Sequence, residues 1–263
     1  MKRNIWYVLP LLALGSAAAL IAARPHALQP ATAGRVPVVV ELFTSEGCSS
    51  CPAADAVLRE LETSQSVPGA EILALGEHVD YWNRLGWADP FSAAQFSARQ
   101  RAYALGFTEG NYTPQAIVNG RYELVGSRQP QLTRAIAEAA RLPQATVLLS
   151  CPAAGTVRVQ VKNLPAGTTA AEVLLATTET GLATQVGRGE NAGRLLRHAA
   201  VVRALRSLGT VGADGTFAAT VPLALNPGWN PDHLRAVALV QEVRSRHLVG
   251  AASQPLISTS AAN

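Results

Sequence analysis

Two cysteines three residues apart constrain this sequence most. Cys48-Ser49-Ser50-Cys51 follows an apolar run from Val36 to Phe43 and precedes a helical pattern from Pro52 to about Thr63. The run is rich in β-branched residues, as expected of a strand that is buried on both faces. The helical pattern carries one apolar stripe, which consists of Ala54, Val57, Leu58 and Leu61. A CxxC pair at a strand-to-helix junction is typical of reversible disulfide chemistry, because the helix N-terminus stabilises a thiolate and the second thiol resolves a mixed disulfide.

The N-terminus has the pattern of a secretory signal. Lys2 and Arg3 precede an uncharged stretch from Ile5 to Ala23, and Ala31-Thr32-Ala33 provides a small-residue cleavage site. We therefore predict a signal peptide over residues 1–33 and a periplasmic or secreted protein. The apolar stretch is also near the minimum length of a bilayer span, so an uncleaved N-terminal membrane anchor is the alternative. In either case the rest of the chain is expected in a compartment where disulfides persist.

Net charge and missing motifs exclude several functional classes. The formal net charge is +4, and loss of the three basic residues Lys2, Arg3 and Arg24 with the signal lowers it to +1. A nearly neutral chain without basic runs is not expected to bind nucleic acid. The sequence has no Gly-rich phosphate loop, no second Cys/His pair at zinc spacing and no GxSxG motif. Nucleotide-dependent and hydrolytic enzymes are therefore poor candidates.

Residues 34–143 continue with alternating strands and helices. After the first strand and helix, Glu71 to Leu75 is predicted as a second strand. A helix is predicted from an Asp89 cap and Pro90 to about Ala104. A last helix is predicted from Pro130 to Leu142, where Pro143 ends it.

A hairpin is predicted between the last two helices. Asn119-Gly120 is a strong turn signal, and it joins predicted strands at Gln115 to Val118 and Arg121 to Val125. The element order over residues 34–143 is therefore β-α-β-α-β-β-α.

This order resembles a thioredoxin domain. The resemblance rests on the CxxC at the first strand–helix junction and on Thr113-Pro114 just before the third strand. It implies that the bond before Pro114 is cis and that Pro114 lies against the cysteine pair. Two departures are visible, since Gly47 replaces the usual Trp and Ser49-Ser50 replaces the usual Gly-Pro. Substrate preference and reduction potential are therefore not transferred.

Four segments also resemble a secreted bacterial family known as domain of unknown function 1223. They run from Glu46 to Pro52, from His78 to Trp82, from Trp87 to Phe91 and from Gly187 to Arg194. The resemblance implies a thioredoxin-like domain but no established activity, so function is argued from residue chemistry.

Residues 144–263 are predicted as an all-β, sandwich-like domain. Short alternating segments are separated by Gly, Pro and Asn, as in antiparallel sandwiches. The predicted strands are Thr146 to Ser150, Thr156 to Lys162, Ala171 to Thr177, Thr216 to Val221, Leu234 to Val243 and His247 to Ala252. Leu195 to Leu208 fits either a long strand or a short helix. The predicted fold class is thus α/β, with a thioredoxin-like N-terminal domain followed by a sandwich.

Two further features of the second half are interpreted structurally. Gly187 to Arg194 is predicted to be an ordered polar loop that is solvated or salt-bridged, with anion or partner binding as the alternative. Cys151 is predicted to be a small buried hydrophobic side chain at a strand end. The alternative for Cys151 is a free thiol that forms an intermolecular disulfide.

Five residues form the predicted site. Cys48 is the expected nucleophile and Cys51 the resolving thiol, the alternative being an inert structural disulfide. Pro114 is expected to present substrate backbone. Glu41 assists proton transfer only if the loop absorbs one residue, and otherwise it must be paired or reach solvent. His78 is predicted to tune Cys48, shuttle a proton or bind a metal, unless it is a loop imidazole bonded to backbone.

Three functions follow from these residues. The first is an exported thiol-disulfide oxidoreductase that needs no cofactor and acts on protein thiols or disulfides. The second is a copper metallochaperone in which Cys48, Cys51 and His78 bind Cu(I), although no methionine follows Met1. The third is a non-catalytic binding module. Clustered aromatic residues are expected either in the core or along a substrate groove: Tyr81, Trp82, Trp87 and Phe91. The oligomeric state is left open.

Overall fold

The structure is a computed structural model that describes residues 34–256. This range contains three α-helices, α1 (Cys51–Ser64), α2 (Ala94–Ala104) and α3 (Gln129–Ala139), and two 3-10 turns, Asn83–Leu85 and Pro231–His233. The strands of the same range are β1 (Val36–Thr44), β2 (Ala70–His78), β3 (Gln115–Val118), β4 (Tyr122–Val125), β5 (Thr146–Ala153), β6 (Thr156–Lys162), β7 (Ala171–Glu179), β8 (Ala183–Gln185), β9 (Leu195–Arg197), β10 (Val201–Thr210), β11 (Phe217–Pro222), β12 (Leu234–Glu242) and β13 (Leu248–Pro255). The predicted signal over residues 1–33 lies outside the described residues. None of the helices between residues 34 and 256 is long and apolar enough to cross a membrane.

One mixed sheet dominates the described part of the chain. Its eight strands follow the order β13-β12-β7-β10-β2-β1-β3-β4. β1 and β2 are parallel, β3 pairs antiparallel with β1, and β10 joins the outer side of β2 at Val201 and Gly76. At that junction the Gly76 N–H donates to the carbonyl oxygen of Ala200 at 2.7 Å. The sheet therefore runs without interruption from the first half of the chain into the second.

Both faces of this sheet are covered. Helices α1 and α3 pack on one face beside β1 and β2, through Leu58, Leu61 and Leu132 among others. The three-stranded sheet β11-β6-β5 packs on the same face further along, against β7 and β12. Helix α2 covers the opposite face, where Phe96 meets Val39 and Leu75. Burial on both faces explains the nearly continuous apolar sequences of β1, β7 and β12.

The predicted fold class, a thioredoxin-like domain followed by a separate sandwich, is wrong. Strands make up 40% and helices 19% of residues 34–256, and the large mixed sheet takes four of its eight strands from each side of residue 143. The physical reason is that β7 and β12 are buried on both faces and extend the first sheet through β10, whereas the prediction used them for a sandwich of their own. The boundary at residue 143 falls between α3 and β5 and stays a prediction.

The strand directions decide where polar side chains collect. Because β1 and β2 are parallel and in register from Val36 and Ala70 to Thr44 and His78, their carboxyl ends meet at one edge of the sheet. The CxxC segment leaves β1 at this edge, and α1 begins at Cys51 with Pro52 in its first turn. The candidate site lies at this edge.

Candidate functional site

The cysteine pair is oxidised and buried. Cys48 and Cys51 form a disulfide whose Cα atoms are 5.4 Å apart, and their exposed fractions are 1% and 0%. Between them, Ser49 and Ser50 are exposed to solvent. The disulfide thus lies just beneath the surface at the start of α1, and in this conformation no substrate reaches its sulfur atoms.

A loop from the second half of the chain packs against the CxxC segment. We call residues 187–194 the covering loop. Its residue Asn191 is fully buried, and the Nδ2 group donates to the carbonyl oxygens of Glu46 and Cys48, both at 2.9 Å. The Ser49 N–H donates to Glu190 Oε2 at 3.0 Å. The predicted polar loop is therefore ordered, and its polar contacts are with the CxxC segment.

Aromatic side chains support both the CxxC segment and the covering loop. Trp87 Nε1 donates to Glu46 Oε2 at 2.7 Å, and Trp87 packs with its ring against Gly187 and with its Cβ against Gly189. Trp82 Nε1 donates to Thr113 Oγ1 at 2.9 Å, and its Cβ lies so near Gly47 that a Cβ added there would be 3.1 Å away. Trp82 and Trp87 are partly buried, and they pack against these two backbone segments.

Trp82 also relates the CxxC segment to Pro114. The Thr113–Pro114 peptide bond is cis and Pro114 is buried. Because Trp82 contacts Gly47 on one side and Thr113 on the other, both segments lie at the same end of the sheet.

His78 is held by an acidic partner close to the CxxC segment. Its Nδ1 lies 2.7 Å from Asp89 Oδ2, and the same carboxylate oxygen accepts the Glu46 N–H at 2.8 Å. Burial raises the pKa of Asp89, but His78 and the N–H groups of Glu46 and Phe91 outweigh burial and lower that pKa below its usual value. An ionised Asp89 thus connects His78 to the backbone that precedes Cys48.

A second histidine faces the first. His198, between β9 and β10, lies with its Nε2 2.9 Å from Glu46 Oε1 and its Nδ1 3.9 Å from Asp55 Oδ1. Burial lowers the pKa of His198, but the carboxylates of Asp55 and Glu46 outweigh burial and raise it to about 9. The rings of His78 and His198 are 4.8 Å apart between centroids.

Two ring nitrogens and one carboxylate converge between these elements. In the described range, His78 Nε2 and His198 Nδ1 are buried and have no hydrogen-bond partner. They and an Asp55 oxygen lie within 4.8 Å of one another. The group contains no cysteine, so the structure does not bring His78 together with Cys48 and Cys51 in the way that the copper alternative requires.

Comparison with known families identifies the chain. Residues 39–241 match the model of a family described as protein of unknown function (DUF1223). The chain belongs to this family. No curated protein matches it.

The matches to solved structures range from most of the chain to less than half of it. An X-ray crystal structure of a protein from Agrobacterium tumefaciens is 26% identical, with a TM-score of 0.69, and the match covers 87% of this chain and 98% of that one. A domain of the outer membrane lipoprotein Omp28 from Porphyromonas gingivalis is 12% identical, with a TM-score of 0.24, over 43% of this chain and 87% of that one.

The DUF1223 segments named above meet at this site. Glu46 and the cysteines come from the first segment, His78 from the second, Trp87 and Asp89 from the third, and Asn191 from the fourth. The sequence analysis did not single out two participants, Asp55 and His198. Asp55 directly follows Ala54 of the apolar stripe, so an acid beside that stripe, one turn after Cys51, was the available signal, and the structure shows it buried. No local pattern marks His198.

Glu41 is not part of this arrangement. Val40 and Leu42 pack on the α1 face of β1, so the intervening Glu41 points to the α2 face. There its Oε1 accepts from Arg99 Nε at 2.6 Å and its Oε2 from the Tyr103 hydroxyl at 2.6 Å. The structure shows a paired, fully buried carboxylate and does not bring it to the disulfide.

The predicted burial of Cys151 is wrong. Cys151 lies near the end of β5 and is exposed, and it is the free cysteine of the described residues. Its strand belongs to the small outer sheet and its side chain lies outside the packed cluster beneath that sheet.

Proposed function

We propose that this DUF1223 protein is an exported thiol-disulfide oxidoreductase that acts through Cys48 and Cys51 on protein or peptide thiols. The observation that carries the proposal is the oxidised pair at the first turn of α1, one loop away from solvent. A disulfide that only stabilised the fold would gain little here, because it closes a very short loop.

The oxidised pair is able to accept two electrons from a dithiol. A substrate thiolate attacks Cys48 Sγ, the Cys48–Cys51 bond breaks, and Cys51 leaves as a thiolate. The second substrate thiolate then attacks the substrate sulfur of the mixed disulfide and expels Cys48. The substrate gains one disulfide, the protein gains two thiols, and the two substrate protons end on Cys48 and Cys51. The reverse sequence reduces a substrate disulfide.

The start of α1 favours Cys51 as the leaving group. Cys51 is the first residue of the helix, where unpaired N–H groups and the helix dipole stabilise an anion. The Cys48 Sγ lies 3.4 Å from the Ser50 hydroxyl. Both features are local, so they persist when the covering loop moves.

The reaction also requires that a substrate reach the sulfur atoms. Because the sulfur atoms are buried, the reaction needs the covering loop to leave the CxxC segment. Trp87 packs against the glycines of this loop, and the polar contacts of the loop with the CxxC segment are few, chiefly those of Asn191 and Glu190. Such contacts are worth about 1 kcal/mol each, so a substrate that binds the open form is able to shift the equilibrium.

Thiol trapping tests the proposal directly. The oxidised full chain is mixed with a reduced dithiol peptide, alkylated at intervals and weighed, and the pair is equilibrated across a series of glutathione buffers. We expect reversible gain of two thiols and formation of peptide disulfide, lost in Cys48→Ser and retained in Cys151→Ser, the matched control with a distant cysteine removed. A pair that stays oxidised in every physiological buffer contradicts the proposal.

A further inference from the structure

The two buried imidazoles beside the CxxC segment are arranged as ligands. Each has one nitrogen on a carboxylate and one facing the other ring: His78 uses Nδ1 for Asp89, and His198 uses Nε2 for Glu46. The opposite nitrogens, His78 Nε2 and His198 Nδ1, are buried and lack a hydrogen-bond partner among residues 34–256. Buried polar atoms without partners are costly, so two that face one point indicate a missing ligand.

The carboxylates define which nitrogen carries a lone pair. When a neutral imidazole donates its N–H to a carboxylate, the other ring nitrogen presents a lone pair in a fixed direction. On a charged ring, a metal ion takes the place of the second proton. Metal-bound histidines in proteins almost always donate the other ring N–H to a carboxylate, a backbone carbonyl or water, which orients the ring and raises its basicity. Asp89 and Glu46 are both buried and suited to this role.

Asp55 supplies the third donor. Its Oδ1 is 3.9 Å from His198 Nδ1, and its Oδ2 accepts from the Thr44 hydroxyl at 2.9 Å, which orients the carboxylate. We propose that Asp55, His78 and His198 bind a divalent first-row transition-metal ion, with Zn²⁺ as the reference ion. The donor set consists of two imidazole nitrogens and one carboxylate oxygen, with a further position open. It suits such ions better than it suits Mg²⁺ or Ca²⁺.

The dimensions fit after a small adjustment. The donor atoms lie within 4.8 Å of one another. In a tetrahedral site with bonds of about 2.0 to 2.2 Å the donors are roughly 3.4 Å apart. Side-chain rotations that move the donor atoms by about 1 Å therefore close the site around an ion.

The surroundings limit water and leave a path for entry. The Phe91 ring packs edge-on against both imidazoles, with centroid distances of 5.5 Å to His78 and 5.3 Å to His198. Arg203 lies over the outer face of Phe91. His198 also lines a groove of about 990 Å³ between α1 and the sheet, which offers a route to this ligand from solvent.

Cobalt and zinc titrations of the unmodified full chain test the site. After chelator treatment and dialysis, the oxidised protein is titrated with Co²⁺, followed by its visible absorption, and with Zn²⁺ in competition with a chromophoric chelator. We expect one-to-one binding, a four- or five-coordinate Co²⁺ spectrum without sulfur charge-transfer bands, and the same spectrum in the Cys48→Ser/Cys51→Ser double variant. Sulfur charge-transfer bands, or loss of binding in the double variant, overturn the proposed ligand set.

Histidine variants locate the ligands. His78→Ala and His198→Ala are each expected to weaken Zn²⁺ binding at least 100-fold, and Asp89→Asn, which removes an outer carboxylate, roughly 10- to 100-fold. His233→Ala is the matched control, because His233 lines the same groove but is exposed. Equal effects of all the histidine variants overturn the assignment.

The alternative occupant of the space is a proton. A charged His198 between Glu46 and Asp55 forms a buried ion-pair cluster without any metal. In that case the wild-type protein shows no saturable binding of Co²⁺ or Zn²⁺, and the proposal fails. This wild-type measurement is decisive even where a histidine variant does not fold. Its outcome is separate from that of thiol trapping, which follows Cys48 and Cys51.

Discussion

The side-chain amide of Asn191 donates a hydrogen bond of 2.9 Å to the carbonyl oxygen of Cys48, 143 residues earlier in the chain. The same amide group donates to the carbonyl oxygen of Glu46, and Asn191 Oδ1 accepts from Arg194 Nη1 at 2.7 Å. Asn191 thus anchors the covering loop to the backbone on both sides of Gly47. We expect chemical access to the disulfide to depend on this anchor.

Replacing Asn191 by Ala is expected to expose the disulfide. The change removes two buried hydrogen bonds of about 1 kcal/mol each, which shifts the opening equilibrium of the loop by roughly 10- to 30-fold. Reduction of Cys48–Cys51 by dithiothreitol, measured by quenched alkylation, should accelerate by the same factor. Asn226→Ala is the control, because Asn226 lies in an exposed loop elsewhere. An unchanged rate in a folded Asn191→Ala protein would show that the loop does not limit access.

Local patterns predicted the elements around the disulfide well. The apolar run at Val36 became β1, and the stripe of α1 is buried at Ala54, Leu58 and Leu61 as its spacing indicates. These patterns depend on residues near one another in sequence, so they are legible without the fold. Even here, β2 ends at His78, three residues after the predicted end at Leu75. Its last residues are in the strand because they pair with β1, and no apolar spacing marks them.

Long-range pairing explains what the sequence did not reveal. β7 has the apolar sequence of a doubly buried strand, but nothing in it states that β10 and β2 connect it to the first half. The same holds for the site: His78 was a candidate from its segment, whereas His198 lies before β10 and reaches Glu46 only because that connection exists. Asn191 reaches the CxxC segment in the same way.

Arg99 is expected to be essential for stability. It pairs with Glu41 and lies 3.5 Å from Glu77, and its Nη2 donates to the Tyr103 hydroxyl at 2.9 Å. Arg99→Ala leaves two buried carboxyl groups without their cation, and breaking a buried pair in this way costs about 3 to 5 kcal/mol. Urea unfolding followed by circular dichroism measures the loss.

A neighbour on the same helix provides the comparison for Arg99. Arg101 is exposed, so Arg101→Ala should change the free energy of unfolding by no more than about 0.5 kcal/mol. Similar losses in the two variants would mean that the ion-pair cluster around Glu41 contributes nothing specific.

Cys151 is expected to be the thiol that reacts in the native oxidised protein. It is exposed, whereas Cys48 and Cys51 are bonded to each other. Partial burial raises the pKa of the Cys151 thiol, so its thiolate fraction at neutral pH is below that of an unhindered thiol with a pKa of about 8.5. Without reductant, iodoacetamide should therefore modify one thiol per protein. At pH 7 the reaction should be slower than with a small peptide thiol. Its rate should rise as the pH is raised towards and beyond about 8.5. A rate equal to that of the peptide, or no modification, would contradict this environment.

Replacing Gly120 by Ala is expected to lower the free energy of unfolding for two reasons, backbone conformation and steric contact. Comparison with Gly155 separates these two contributions. Gly120 and Gly155 have nearly the same backbone conformation, with φ of 64° and 65°. A Cβ at Gly155 meets nothing within 4 Å, whereas a Cβ at Gly120 would lie 2.2 Å from the carbonyl oxygen of Arg246. Gly155→Ala therefore costs only the left-handed conformation, about 1 to 2 kcal/mol, and Gly120→Ala costs that plus about 1 to 3 kcal/mol of steric displacement. Urea unfolding of both variants measures the difference directly. The Arg246 carbonyl lies in the β12–β13 turn and Gly120 in the β3–β4 turn. A larger loss in Gly120→Ala shows that the close contact between these turns is maintained in solution. Equal losses would mean that the turns move apart at little cost.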